Sequence, residues 1–465
     1  MKLEITEIIN ACGGRLLDEN LTAKNAKITS ISTDTRTIES GALFVPIVGE
    51  NSDGHDYISQ AAEKGAVCVL TENQNVMADV PHIYVNSTRR ALMDLANFYR
   101  RMHNVKVVAI TGSAGKTTTK DMIADILARK FKTKRTIKNF NNEIGMPLSI
   151  FQLEPDDEVL VLEMGMNHAN EIHELSLAAA PDIAVITSIG DAHIENFENR
   201  EGILNAKMEI THGLRMGGTL ILNGDDELLN SYFKRNDNNR AFIPNNDSRT
   251  FLPSSKDILK SEPHFSETHC TFKWRGEKIN LTVPIPGGHM VTNALLACAV
   301  GIEMGVSPTE ITEAFANFTP PEGRLNISET NGITIINDVY NANPASMIEA
   351  IKVLCLKNNH ETHEKRKTAI LGDMNELGHT AEAHHRATGK FAAEAGVDLL
   401  ITIGNLARFM YEGFLSSDKN GNAIHFNSLE EFSFTPQKND IILVKASRGM
   451  QFEKIIEGAH QWTFQ

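Results

Sequence analysis

Short apolar runs alternate with helix-length amphipathic connections along most of the chain. In the first stretch the runs 42–48, 66–70 and 82–85 surround a helical spacing over 57–64, with glycine-rich turns between them. This predicts a small α/β domain over residues 1–86. Leu92, Leu95, Ala96 and Tyr99 then share one helical face, with Ser87 or Thr88 as the cap. That helix is expected to carry the chain into a second domain, 87–318.

In this second domain the runs 105–111, 159–163, 183–187 and 219–223 are almost continuously hydrophobic and are joined by helix-length segments. Such strands imply a parallel sheet buried on both faces. Residues 269–283 differ. Cys270, Phe272 and Trp274 alternate before Arg275-Gly276, and Ile279, Leu281 and Val283 alternate after it, which predicts a β-hairpin appended to the sheet. Helices are expected at 289–304 and 308–318, ending at Pro320-Pro321-Glu322-Gly323, a rigid helix-breaking segment suited to a hinge. The last domain, 319–465, repeats the rhythm with runs at 333–337, 368–372, 399–403 and 440–444. The fold class is therefore α/β in three domains, with a central parallel-sheet domain carrying a phosphate loop and a C-terminal Rossmann-like domain. The C-terminal domain lacks GxGxxG, so nothing favours a dinucleotide there.

Composition narrows the classes. The 465 residues are 41% hydrophobic and 22% charged, ordinary for globular domains. Lys and Arg number 45 against 59 Asp and Glu, a net charge of 45 − 59 = −14, which offers no broad footprint for nucleic acid. No stretch has the length and apolarity of a membrane span, and a cytoplasmic, monomeric protein is expected. Five dispersed cysteines without a CxxC pair are expected to be reduced core residues, and the His168/His173 and His360/His363 pairs lack a complete metal-ligand set.

The strongest chemical signal is at 111–119. Strand 105–111 runs directly into Thr111-Gly112-Ser113-Ala114-Gly115-Lys116-Thr117-Thr118-Thr119, and a helix bearing Met122, Ile123, Ile126 and Leu127 follows. Strand, glycine-rich loop and helix are the context of a P-loop. Backbone N–H groups of Gly112, Ser113, Ala114, Gly115 and Thr118 can face phosphate oxygens. Lys116 can reach the β/γ-phosphates, and Thr117 can bind Mg²⁺. ATP is the expected ligand, although Ile110 stands where GxxxxGK[ST] places its first glycine. Glu163 ends the run 159–163 and His193 follows the run 183–187, at the sheet edge where parallel sheets bind ligands. Taken singly, each residue has a structural explanation. Sharing an edge with Lys116, they suit a second Mg²⁺.

The set TGSAGKTTT, LEMG with Glu163, DAH with His193 and AKMEI with Lys207 resembles the Mur ligases, ATP-dependent amide-forming enzymes of peptidoglycan precursor synthesis. Asp34-Thr35-Arg36, Phe44-Val45-Pro46 and Asp53-Gly54-His55 resemble the family's domain for uridine-diphosphate sugars. Asn337 to Pro344, Leu371-Gly372-Asp373-Met374 and Glu376-Leu377-Gly378 resemble the member that adds D-alanyl-D-alanine to UDP-N-acetylmuramoyl tripeptide. Met290 and Ala446 depart from the family pattern, where Asn and Gly are usual.

The resemblance implies ligation through an acyl phosphate, with two Mg²⁺ ions. It implies that Glu163 and His193 organise the second metal and that Lys207 is carbamylated to support it. Lys207 would otherwise read as a solvated helix lysine. It further implies Asn293 at the adenine, Arg324 at the terminal phosphate and Asp338 at the ribose. Asn341 and Asn343 fall to the dipeptide or adenine region, with turn formation as the competing reading. Asp34, Thr35, Arg36 and Asn142 fall to the nucleotide sugar, and a surface salt bridge competes for Arg36. The alternatives are a related amino-acid or polyglutamate ligase, or a P-loop ATPase that makes no covalent product.

Overall fold

The structure, a computed structural model, describes residues 1–17, 27–49, 51–75, 79–236, 248–356, 365–417, 421–459 and 462. The His360/His363 pair lies outside the described residues. Three α/β units follow one another along the chain. The first holds a five-stranded sheet in the order Arg15–Leu16, His82–Tyr84, Ala66–Thr71, Ala42–Phe44 and Ser30–Ser32. All its pairings are parallel except that of the edge strand Arg15–Leu16. Helix Thr88–Arg101 buries Leu92, Leu95, Ala96 and Tyr99, as their spacing predicts, and the Ser87 side chain caps it by accepting from the Arg90 amide. This helix packs on Ile5–Cys12 of the first unit and also on Gly145–Ile150 and Glu171–Ala179 of the second.

The second unit has a six-stranded, wholly parallel sheet in the order Arg249–Phe251, Thr219–Leu222, Ile183–Ile186, Lys106–Thr111, Val159–Glu163 and Thr133–Arg135. Its four inner strands coincide with the four apolar runs. Apart from Lys106 their residues are buried on both sheet faces, and each fully buried aliphatic side chain contributes about 1.5–3 kcal/mol. The two outer strands are short and carry Lys134, Arg135 and Arg249, so no hydrophobic run announces them.

The hairpin forms about Arg275-Gly276 as expected, and its register sets Cys270 opposite Leu281 and Phe272 opposite Ile279. Its expected attachment to the main sheet is corrected by the structure. A third strand, Ile258–Pro263, joins it in a separate three-stranded antiparallel sheet. That strand is exposed along most of its length, which hides it from a hydrophobicity pattern.

The third unit is a six-stranded sheet ordered Asn326–Thr330, Ile333–Asn337, Ile441–Lys445, Lys367–Gly372, Leu399–Ile403 and Asn422–Phe426. Only its first strand is antiparallel. Among the described residues no helix is long and apolar enough to cross a membrane. The five cysteines are all free thiols. Cys68, Cys270 and Cys298 are buried, whereas Cys12 and Cys355 are partly exposed rather than core residues.

Candidate active site

The phosphate loop leaves strand Lys106–Thr111 and enters helix Lys116–Leu127 at Gly115, whose φ of 82° is left-handed. Two glycines are required by space as well as by backbone angle. A Cβ on Gly112, at φ 153°, would lie 1.9 Å from Thr187 Oγ1, and one on Gly115 would lie 2.6 Å from Asn293 Oδ1. The loop is strapped to the turn after strand Ile183–Ile186. The Ser113 amide donates to the Ser188 carbonyl at 2.9 Å, the Ala114 amide to Ser188 Oγ at 3.1 Å, and Thr187 Oγ1 to the Ala114 carbonyl at 2.5 Å. Lys116 Nζ folds back to donate to the Gly112 carbonyl at 2.7 Å. Burial pushes this ammonium below the ordinary lysine pKa, with Glu163 opposing the shift and Arg324 adding to it.

Glu163 ends its strand at 2% exposure. Its Oε1 accepts from Asn141 Nδ2 at 2.9 Å, and its amide donates to Thr136 Oγ1 at 2.9 Å. Oε2 is buried and has no hydrogen-bond partner among the described residues. An orphaned carboxylate oxygen beside a phosphate loop fits a hard divalent cation.

Lys207 is 1% exposed, on the inner side of helix Arg200–Met208. The competing reading of a solvated helix lysine does not hold, because the side chain is buried. It stands four residues after buried Ile203, so one face carries both. Burial, and after it the charge of Lys116, push its pKa well below the usual lysine value. Such an environment favours the neutral amine.

His193 sits at φ 62° before the turn Ile194–Asn196, and its Nδ1 lies 2.6 Å from Glu376 Oε2 of the third unit. His168 instead contacts Glu171 on the surface, and His173 contacts His212.

The third unit reaches the phosphate loop at two further places. Arg324 Nη2 donates to Thr117 Oγ1 at 2.9 Å while its guanidinium stacks 4.2 Å over the Tyr340 ring. Asn343 Nδ2 approaches the Ser113 carbonyl at 3.5 Å. Asn343 also caps helix Pro344–Leu354, its Oδ1 accepting from the Ser346 amide at 2.9 Å. Turn formation and a reach into the site thus coexist in one residue. Asn341 Oδ1 accepts locally from the Ala342 amide, and its carbonyl accepts from Lys445 Nζ at 2.8 Å.

Asp338 is already engaged. Its Oδ2 accepts from the buried Lys445 Nζ at 2.6 Å and its Oδ1 from the Leu325 amide at 3.2 Å. Asn293 lies buried against Gly115, and its Nδ2 donates to Met290 Sδ at 3.6 Å. The Met290 departure therefore touches the residue assigned to adenine. Ala446, the other departure, is fully buried in the third unit's core.

The residues assigned to the nucleotide sugar show local roles. Arg36 and Asp34 pair at 2.7 Å with Arg36 86% exposed, which is the surface salt bridge that competed for it. Thr35 Oγ1 donates to Gln60 Oε1 at 2.7 Å. Asn142 Oδ1 closes the turn before helix Gly145–Ile150 by accepting from the Gly145 amide, while its neighbour Asn141 is the residue that reaches Glu163. Sequence reading passed over Asn141, Thr136, Lys445 and Glu376 as site residues. Nothing in the run Asn139-Phe140-Asn141-Asn142 separates Asn141 from Asn142, whereas Glu376 lies in the Glu376-Leu377-Gly378 motif that carries the resemblance.

A parallel-sheet phosphate loop, covered by a Rossmann-like unit that brings an arginine to the loop's hydroxyl, defines a nucleotide-dependent α/β enzyme whose site is shared between domains. The chain belongs to the Mur ligase family. It matches the Mur ligase middle domain over residues 110–301, the Mur ligase glutamate ligase domain over 323–448, and the Mur ligase family catalytic domain over 27–100. It is 38% identical over 437 residues to UDP-N-acetylmuramoyl-tripeptide--D-alanyl-D-alanine ligase of Bacillus subtilis, covering 92% of this chain and 93% of that protein. Among solved structures it resembles MurF from Acinetobacter baumannii with a TM-score of 0.88 at 27% identity, covering 99% of each chain. It also resembles MurF ligase from Thermotoga maritima in complex with ADP, with a TM-score of 0.80 at 26% identity, covering 93% of this chain and 97% of that one.

Proposed function

We propose that the protein joins D-alanyl-D-alanine to the terminal carboxylate of UDP-N-acetylmuramoyl tripeptide, converting ATP to ADP and phosphate, in peptidoglycan precursor synthesis. The observation that carries this reading is the meeting of Arg324 with Thr117 at the phosphate loop, in a chain similar over 92% of its length to a ligase of that name.

A carboxylate is a poor acylating agent, so its oxygen first takes the γ-phosphoryl group of ATP and becomes an acyl phosphate. The dipeptide amine then attacks the carbonyl carbon, loses its proton and displaces phosphate through a tetrahedral intermediate. Both reacting partners are anionic, so alignment and neutralisation carry the rate. Lys116 and Arg324 follow the transferring phosphoryl group, and the amides of Gly112, Gly115 and Thr118 face the phosphates, while those of Ser113 and Ala114 are held by Ser188 and shape the loop. Thr117, Glu163 and His193 would hold Mg²⁺, which supplies positive charge at the phosphate oxygens. The neutral amine of Lys207 can add to CO₂ and lose a proton, giving a carbamate whose negative charge supports the second cation.

Asn293 is assigned to the adenine and Asp338 to the ribose, the latter through lone pairs not used by Lys445 and Leu325. Asn341 and Asn343 are assigned to the dipeptide or adenine region, and Asp34, Thr35, Arg36 and Asn142 to the nucleotide sugar. We place the domain borders near 86/87 and 318/319, and a cytoplasmic monomer suits a site built from one chain.

An ADP-release screen of UDP-muramoyl tripeptides against D-alanyl-D-alanine, single amino acids and glutamate tests the reading. Turnover with the dipeptide supports it. Turnover only with another amine moves the protein to a sister ligase, and phosphate release without any acceptor makes it an ATPase. Positional isotope exchange in ATP without dipeptide is expected, since the acyl phosphate forms before the amine is used.

A further inference from the structure

Glu376 belongs to the loop after strand Lys367–Gly372 and carries none of the roles assigned above. Its carboxylate Oε2 lies 2.6 Å from His193 Nδ1, an ion-pair contact whose angle falls outside hydrogen-bond geometry, across the boundary between the third and second units. Both backbones are bent in an unusual way to allow this. His193 has φ 62° and Glu376 φ 63°, left-handed conformations that residues other than glycine seldom hold unless their surroundings impose them. The next turn is shaped to the same contact. Gly378 has φ 50°, and a Cβ there would stand 3.0 Å from the Glu195 Cβ. The turn Gly378–Thr380 therefore lies close against the turn Ile194–Asn196 that directly follows His193. Lys116 also lies within electrostatic reach of the Glu376 carboxylate, which places the contact at the phosphate loop.

A carboxylate on one imidazole nitrogen fixes the tautomer and orientation of the ring and directs the other nitrogen. With Nδ1 facing Glu376, Nε2 is the nitrogen left for a cation. We propose that Glu376 is a positioning residue, supplied by the third unit on closure, that fixes the His193 imidazole for divalent-cation binding. This rests on the reading of His193 as a cation ligand. Closure would then do more than cover the reacting groups. Docking of the amine-binding unit would complete the cation site, so that acyl phosphate forms only where water is already excluded.

The test uses the full chain with ADP and Mn²⁺, the cation followed directly by electron paramagnetic resonance, so that no turnover is needed. Glu376→Gln keeps size and polarity at a half-exposed position and removes the charge. It is expected to weaken one Mn²⁺ site by about tenfold or more, with Glu376→Asp intermediate. His193→Ala should lose the same site, and Glu376→Gln should add nothing in that background. Wild-type Mn²⁺ affinity in Glu376→Gln, with His193→Ala weakened, overturns the proposal alone. So does a double variant whose loss is the product of the two single losses. Unchanged Mn²⁺ binding in His193→Ala overturns the ligand reading and the proposal together.

Discussion

The phosphate loop and the third unit's loops line the same site by opposite means. Residues 112–118 are contiguous, and their shape is enforced by two glycines and by hydrogen bonds to the adjacent strand turn. Arg324, Asn343 and Glu376 come from separate loops of a different sheet and reach the site only because that whole unit lies over it. The first arrangement is local and confined to one unit. The second is conditional on closure, which suits it to steps that must await the last substrate.

The largest effect is expected from Lys116→Ala, which removes a cation proposed to follow the transferring phosphoryl group. A loss of about 10²–10³-fold or more in kcat is expected, with an unchanged fold by circular dichroism. Near wild-type turnover would move the ATP site elsewhere and dissolve the contrast between the two regions.

Lys207 sharpens the comparison from the buried side. Lys207→Ala should lose nearly all activity and regain part of it with formate, which can occupy the vacated anionic position, whereas Lys207→Arg should not recover. Lys207→Met should be equally inactive yet more stable, since it removes a desolvated amine. The sign of the pH dependence follows from the depressed pKa. Between the folded value and the unfolded value of 10.5, the unfolded chain binds more protons, so wild-type stability rises with pH. In CO₂-depleted buffer the melting-temperature advantage of Lys207→Met should therefore narrow as pH rises toward 10.5. An advantage that widens with pH would contradict the buried neutral amine.

Asn343 separates local structure from closure within one side chain. Asn343→Asp keeps the acceptor that caps helix Pro344–Leu354 but loses the donor facing the Ser113 carbonyl. Stability should hold while kcat falls several-fold. Asn343→Ala should in addition cost about 1 kcal/mol of stability for the lost cap, read from urea denaturation. Equal activity of Asn343→Asp and wild type would reduce this residue to a helix cap.

The smallest effect is expected from Arg36→Ala. Its pairing with Asp34 lies at the surface, so the melting temperature should hardly change, and only KM for the nucleotide sugar should rise. An unchanged KM would leave Arg36 as a surface salt bridge.

Much of the fold was legible because buried parallel strands must be apolar on both faces, and the four inner strands of the central sheet were. The edge strands Thr133–Arg135, Arg249–Phe251 and Ile258–Pro263 were not, because an edge meets water and needs no hydrophobic run. The hairpin register was readable from its alternation, but its separation from the main sheet was not, since alternation records which face is buried and not against what.

By itself the sequence determined the phosphate loop, because its chemistry depends on neighbours along the chain: glycines where backbone must turn toward an anion, then a lysine and a threonine at a helix start. It also determined the alternation of strands and helices. Only the tertiary structure decided that Lys207 is buried beside Lys116, that Asn141 rather than Asn142 holds Glu163, that Asp338 is tied to Lys445, and that Glu376 faces His193. These relations join residues far apart in sequence. Desolvation and electrostatic pairing depend on distance in space, which no local pattern of residues encodes.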